Sequence, residues 1–257
     1  LVRLGDIAEV RFGIKTGANE FFYLDNEKIK EWGIEKEFLK PVIKSPRECK
    51  SILIKPEDLK YKIFMCHKEK KDLKGTNALE YIVWGEKQKF HERPSCRGRQ
   101  RWWDLGIRKK PPLISPSSVS DLYRVFENRD VFIDKRLYEI YCDSGIMEKL
   151  LGSLNCTMTN VFLELGSRTG LGEGLLDLTV YEVAQCNILN PKLLNKTEIK
   201  FKTRKIEDIN KEIRQPDRQE LDNIIFDALG LTKGERDAVY EAVIELVKQR
   251  LEKARSV

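Results

Sequence analysis

The sequence predicts an α+β fold: a twisted mixed or antiparallel sheet with packed helices, followed by a C-terminal helical hairpin. Three observations lead there. Short β-rich runs and helical periods alternate irregularly, without the regular strand–helix rhythm of a parallel α/β sheet. Residues 217–257 instead carry two amphipathic helical patterns in succession. The chain of 257 residues is 41% apolar and 34% charged, a globular composition with a highly charged surface, and it holds no apolar run long enough to cross a bilayer.

The elements follow in order. "LGDIAEVRF" sets Ile7, Val10 and Phe12 in a short turn and strand. In "GIKTGANEFFYL" the small residues Gly13 and Gly17 with Asn19 mark a loop, and Phe21 to Leu24 mark the next strand. Residues 25–46 read as a short helical piece ended by Pro41 and a strand region ended by Pro46, and "KSILIKPEDLKYKIFMC" as strand, turn and strand. Leu79, Ile82 and Val83 stand at helical spacing. Three β-rich runs follow at Leu113-Ile114, Leu122 to Phe126 and Val131 to Ile133, with the turn "ENRD" between the last two. Ile146, Leu150, Leu151, Leu154, Met158 and Phe162 fit one or two helices broken near Gly152-Ser153. "LGEGLLDLTVYEVAQCNIL" is Gly-rich and then β-rich up to Pro191. Leu221, Ile224, Ile225, Ala228 and Leu229 form a helical face stopped at Gly230. Thr232 and Glu235 have capping-box spacing, and Tyr240, Ile244, Val247 and Leu251 make the final face. The expected organisation is a domain over 1–190, a connector over 191–216 and the hairpin over 217–257.

Charge is distributed unevenly. The net charge is +6, and the stretch from Arg93 to Lys110 holds seven Lys/Arg and one acid, Asp104, an excess equal to that of the whole chain. A local basic patch points to a polyanionic partner. From Asp217 onward seven basic residues face nine acidic ones, which suits packing against protein rather than a nucleic-acid arm. The six cysteines are scattered, none in C-x-x-C, and His67 and His91 are the only histidines, so no metal site is expected. No secretory signal precedes them, and a reducing cytoplasmic setting is expected.

In "RPSCRGRQRWWDLGIRKKPP" the residues Arg97, Arg99 and Arg101 recur at period two, which in an extended chain aims all three at one face. Arginine forks grip phosphate oxygens or the edge of guanine, and tryptophan offers a stacking plane. Arg93, Arg97, Arg99, Arg101 and Trp102 are therefore candidates for DNA contact on charge pattern alone. The alternative is a solvated basic loop with Trp102 and Trp103 anchored in the core, where one of the pair is expected in any case. The early loop, with Gly13, Lys15, Thr16, Gly17 and Asn19, can bring backbone and side chains close to a ligand, or can be a tight hairpin; P-loop order is absent. "RTGLGEG" offers Arg168, Gly170, Gly172 and Gly174 without the strand-before, helix-after context of a dinucleotide fingerprint. It is a close approach to DNA or to another strand, or a flexible loop. Neither G-x-S-x-G, H-E-x-x-H nor an EF-hand loop occurs.

Three blocks together resemble one family. "LGDIAEVRFGIKTGANEFFYL" resembles the opening of the target-recognition region of adenine-specific N6 DNA methyltransferases of the Eco57I and TaqI kind, and its start resembles the specificity subunits of type I systems. "LGSLNCTMTNVFLELGSRTGLGEGLLDLTVYEVAQCNILNP" resembles the later part of that region, with a "Y-E-V" strand, and the segment from Arg214 resembles the helical tail. The resemblance implies DNA contact by Arg11, Lys15, Thr16 and Asn19 in the early loop and by Arg168, Gly170 and Gly172 in the later one. It also implies double-stranded DNA and an upstream catalytic domain as partners. The N-P-P-[YFW] and S-adenosylmethionine motifs of such enzymes are absent here, and the chain opens abruptly without Met. The cofactor is thus expected upstream and none in this chain. A stand-alone DNA-processing enzyme such as a nuclease, or a protein-interaction module of a restriction system, are the rival readings.

Overall fold

The computed structural model describes residues 1–169, 174–194 and 199–255. Its centre is the strand Leu137–Cys142, whose first four residues are buried on both faces. Ala8–Phe12 runs antiparallel on one side of it, with Val10 opposite Ile140, and Leu113–Pro116 antiparallel on the other, with Leu113 opposite Ile140. Phe126–Glu127 completes this four-stranded sheet. A second four-stranded sheet comprises Tyr23–Leu24, Tyr61–Phe64, Leu39–Ile43 and Phe132–Ile133, the last pair parallel and the others antiparallel. Val2–Arg3 pairs with Asn187–Ile188, and Arg168–Thr169, Leu176–Asp177 and Ser118–Val119 form a small sheet. The expected α+β class, with mixed and antiparallel pairing, is what the chain adopts.

Among the described residues the buried apolar side chains form four clusters, two of them large. The main one joins Leu4, Leu113, Ile140 and Leu151 to Leu221, Val243 and Val247 of the last two helices. The second, rich in aromatic rings, lies in a lobe built from residues 14–105 together with Phe132. Helix Asn77–Lys87, capped by Thr76, covers it, with Phe21 stacked on Tyr81 at 4.6 Å. Gly85 permits this packing, since a Cβ there would lie 2.6 Å from the Trp102 ring. The path between the two bodies is doubled. The chain leaves the main sheet after Phe12 and re-enters it at Leu113, but residues 51–54 return in between. There Leu53 donates to Lys202 O at 2.8 Å and Ile54 to Glu127 O at 3.0 Å.

Helices Met147–Asn155 and Thr157–Gly166 break at Cys156, not at Gly152-Ser153. The buried Asp222 carboxylate sets the break, accepting from Thr157 N at 2.7 Å and from its hydroxyl at 2.6 Å. Pro216–Leu229 stops at Gly230, whose φ of 71° is left-handed, and Lys233–Arg255 follows. Glu235 accepts from Thr232 N at 2.7 Å, the reciprocal cap expected of that spacing. Arg250 binds this last helix to the body: it meets the buried Glu164 with two hydrogen bonds, of 2.7 and 2.8 Å, and donates to Ser120 O at 2.7 Å.

Several local expectations change. Phe21 and Phe22 close a helical turn, Asn19–Phe22, before the strand begins. Of Leu122 to Phe126 only Phe126 joins a strand. The "Y-E-V" segment is a helix, Val180–Gln185, because Thr179 and Glu182 cap each other's backbone and override the β-branched residues. No described helix is long and apolar enough to cross a membrane.

Candidate nucleic-acid interface

The early loop is held by two glycines in a space that only glycine fits. A Cβ on Gly13 would lie 2.3 Å from Asp134 O. Gly17 has φ of 79°, and a Cβ there would lie 2.6 Å from Ser95 Cβ. The room these glycines create is taken by the chain's own turn at 134–136 and by its own basic stretch. Ile14 N donates to Ile133 O at 2.8 Å and Lys135 N to Ile14 O at 3.1 Å, which locks loop to turn. Lys15 and Asn19 remain exposed, while Thr16 is buried and its hydroxyl donates to Asn19 Oδ1.

The basic stretch is not extended, so the period-two face does not form. Pro94–Arg97 is a helical turn, and the chain then folds back. Arg99 points inward, donating to Lys15 O at 2.9 Å, Thr16 O at 2.7 Å and Trp102 O at 3.1 Å. Burial pulls its guanidinium below the ordinary arginine value. Arg101 is bound to Asp104 at 2.6 Å and to Glu69. Both tryptophans are core: Trp102 and Trp103 are 7% and 6% exposed, and Trp102 lies 4.6 Å from Phe21 and donates to Glu86 at 3.0 Å. The expected stacking face of Trp102 is thus covered, because the aromatic lobe needs its bulk. Arg97 stays exposed, four residues on from Arg93 along the same helical turn, with no acid partner among the described residues.

What the fold brings together is a different set. Lys15, Asn19, Arg93, Ser95 and Lys135 line one cleft of about 310 Å³, where Glu20 holds Arg93 at 2.8 Å. On the strand Ala8–Phe12 that leads into the loop, Arg11 lies 5.4 Å over the Tyr141 ring and pairs with Glu9. The Tyr141 hydroxyl donates to Lys109 O at 2.8 Å and lies 3.2 Å from a Glu139 oxygen, and Arg108 reaches Glu139 at 3.4 Å. Burial raises the Glu139 carboxyl, opposed by Arg108 and Tyr141, and burial with the Glu139 charge pushes Tyr141 up to about 12. Arg11 and Arg108, separated by nearly a hundred positions, thus converge on one buried carboxylate and its neighbouring tyrosine, which the backbone of Lys109 also holds. Lys135, Ser95 and Tyr141 gave no signal in the sequence: a lone "DKR" turn and an isolated serine acquire meaning only when the turn meets the loop.

Arg168 stands on the small sheet, exposed and paired with Glu182 at 3.0 Å. Gly170 and Gly172 lie outside the described residues. Among the described residues no three His, Cys, Asp or Glu are grouped as a metal would require.

Comparison with known proteins adds the following. Residues 1–226 match the family described as type II methyltransferase M.Eco57I, C-terminal domain. The type II methyltransferase M.AccI of Acinetobacter calcoaceticus is 29% identical over 119 residues, which are 44% of this chain and 22% of that protein. The solved type IIG restriction endonuclease BpuSI superposes with a TM-score of 0.68 at 14% identity, over 98% of this chain and 32% of that one. The type IIL restriction-modification enzyme MmeI, solved in complex with DNA, gives 0.58 at 12% identity, over 99% and 36%. The two structures share the fold, and the chain spans about a third or less of each of these three relatives.

Proposed function

The chain belongs to the M.Eco57I C-terminal domain family of type II methyltransferases, and from that premise we propose that it is the DNA target-recognition part of a site-specific adenine-N6 methyltransferase of a restriction-modification system. The observation that carries the reading is the gathering of cations from distant segments: Lys15, Arg93 and Lys135 around one cleft, and Arg11 with Arg108 around Glu139. One relative in the same fold, MmeI, was solved in complex with DNA. A methylase that flips an adenine out of the duplex needs a second body to hold the opposite side of the helix and read the sequence there. Phosphate contacts fix register, and base-edge contacts choose the site. Lys15, Arg97 and Lys109, which have no acid partner among the described residues, are assigned to phosphates. Asn19, with an exposed amide, is assigned to a base edge. Arg11 and Arg93, tethered to Glu9 and Glu20, exchange those carboxylates for DNA on binding.

S-adenosylmethionine is assigned to an upstream catalytic domain. The cleft around Lys15 does not fit it, because its cationic lining repels a sulfonium. The test is duplex binding by anisotropy over a salt series. The double variant Lys15→Ala/Arg97→Ala should lower the slope of log K against log salt by about 1.8, about 0.9 for each phosphate contact. Wild-type binding that is insensitive to salt overturns the reading.

A further inference from the structure

On the far side of the 134–136 turn lies a second cleft, of about 450 Å³, that no sequence pattern singled out. Four cations line it, Lys44, Arg47, Arg124 and Arg136, against one acid, Asp121. They come from three separate segments: the end of strand Leu39–Ile43, the loop before Phe126 and the turn before Leu137. Cations gathered in this way repel one another, and the charge is not cancelled from within. Arg124 shows this most clearly. Its Nε is buried and has no hydrogen-bond acceptor, and Asp121 stands 3.7 Å from its Nη2, beyond hydrogen-bonding reach. That carboxylate is already accepting from Ile209 N at 3.1 Å. The Lys44 ammonium rests over the rings of Tyr61 at 3.9 Å and Tyr23 at 5.1 Å. Arg47 is exposed with no acid partner among the described residues. Arg136 touches Asp134 at 3.1 Å, but Asp134 also accepts from the Tyr23 hydroxyl at 2.6 Å, and the Arg136 side chain is 58% exposed.

We infer that this cleft seats a phosphodiester of the duplex backbone, a second anchor beyond the one around Lys15. An anionic oxygen in the cleft would give Arg47 and Arg124 the charge-assisted partner that neither has within hydrogen-bonding reach. Lys135 lines the first cleft and its neighbour Arg136 the second, so one turn stands between the two. A duplex strand offers a charge about every 3.4 Å of axis, so a single backbone can occupy both. The inference rests on the DNA-binding reading above and extends its footprint.

The experiment uses the full chain and a fluorescent duplex over a salt series, with inorganic phosphate as a separate probe. Arg47→Gln/Arg124→Gln should lower the salt slope by about 1.8, as Lys15→Ala/Arg97→Ala does, and the four substitutions together by about 3.6. Arg47→Gln alone, at an exposed position, should lower it by about 0.9 and keep the wild-type melting curve, which separates lost contact from lost fold. If the Arg47 variants keep the wild-type slope while the Lys15/Arg97 variant loses its share, the second anchor is overturned and the first stands. If inorganic phosphate at millimolar concentration stabilises the wild type but not the Arg124 variant, and slopes are equal, the cleft holds a free anion and the inference fails. Absence of salt-dependent binding in the wild type removes the DNA reading itself.

Discussion

Replacing Arg99 by alanine separates a brace from a contact. The side chain holds three backbone carbonyls, at 2.7 Å, 2.9 Å and 3.1 Å, and so ties the early loop to the Trp102 turn. A hydrogen bond from a charged donor contributes roughly 1.5–3 kcal/mol. The Lys15 carbonyl is exposed and regains water when the guanidinium leaves, so the three do not add. A net loss of about 2–3 kcal/mol is expected. For a chain of this size that lowers the melting temperature by about 4–12 °C. Affinity for a duplex should fall too, because Lys15 is no longer held in place, but the salt slope should stay within about half a unit of wild type, since no phosphate contact is removed. Differential scanning fluorimetry and a salt-titrated anisotropy series read the two quantities independently. An unchanged melting temperature together with a slope lowered by about 0.9 would refute the reasoning, because Arg99 would then be holding a phosphate.

Two further outcomes follow from the packing. Arg250→Ala leaves Glu164 buried without its partner, a loss of about 3–5 kcal/mol in chemical denaturation, while Arg250→Met with Glu164→Leu should recover most of it; equal stability of the single variant and wild type would contradict the clamp. The Arg204 guanidinium, through two 2.7 Å hydrogen bonds, holds the Asp217 carboxyl below its ordinary value. The folded value lies under the unfolded one, so this stabilisation is present above the usual aspartate range and is lost as pH falls through it. Asp217→Asn should therefore flatten the acid limb of stability against pH, and an unaltered limb would count against the pair.

The parts of this molecule that were legible in the sequence are those fixed by neighbours in the chain. Helix Asn77–Lys87, the Gly230 stop and the Thr232 cap are local events, and they lie where spacing put them. The helix at 180–185 is also a local event, since the Thr179 and Glu182 cap outweighs the strand preference of the β-branched residues beside it. The basic stretch shows the limit. Its charge excess is real, yet Arg99 and Arg101 spend it inside the protein, and period two carries no meaning once Pro94 starts a helical turn. Burial of Trp102 depends on Phe21 and Gly85, far away in sequence. Lys135, and the cations at 44, 47, 124 and 136, sit in a Lys- and Glu-rich background where single charges are unremarkable. Only the meeting of the 134–136 turn with the early loop and the strand ends makes them a surface.

The doubled path between the two bodies bears on recombination. A lobe that left the main sheet once and returned once could be exchanged between relatives at two junctions, after Phe12 and before Leu113. Here residues 51–54 cross back midway, and Leu53 and Ile54 donate to Lys202 O and Glu127 O. A two-junction chimera therefore imports a foreign segment into the host's own framework. It must match the host at 127 and 202, where the crossing residues dock, and again at Phe132–Ile133, the strand that the later chain lends to the lobe's sheet beside Leu39–Ile43.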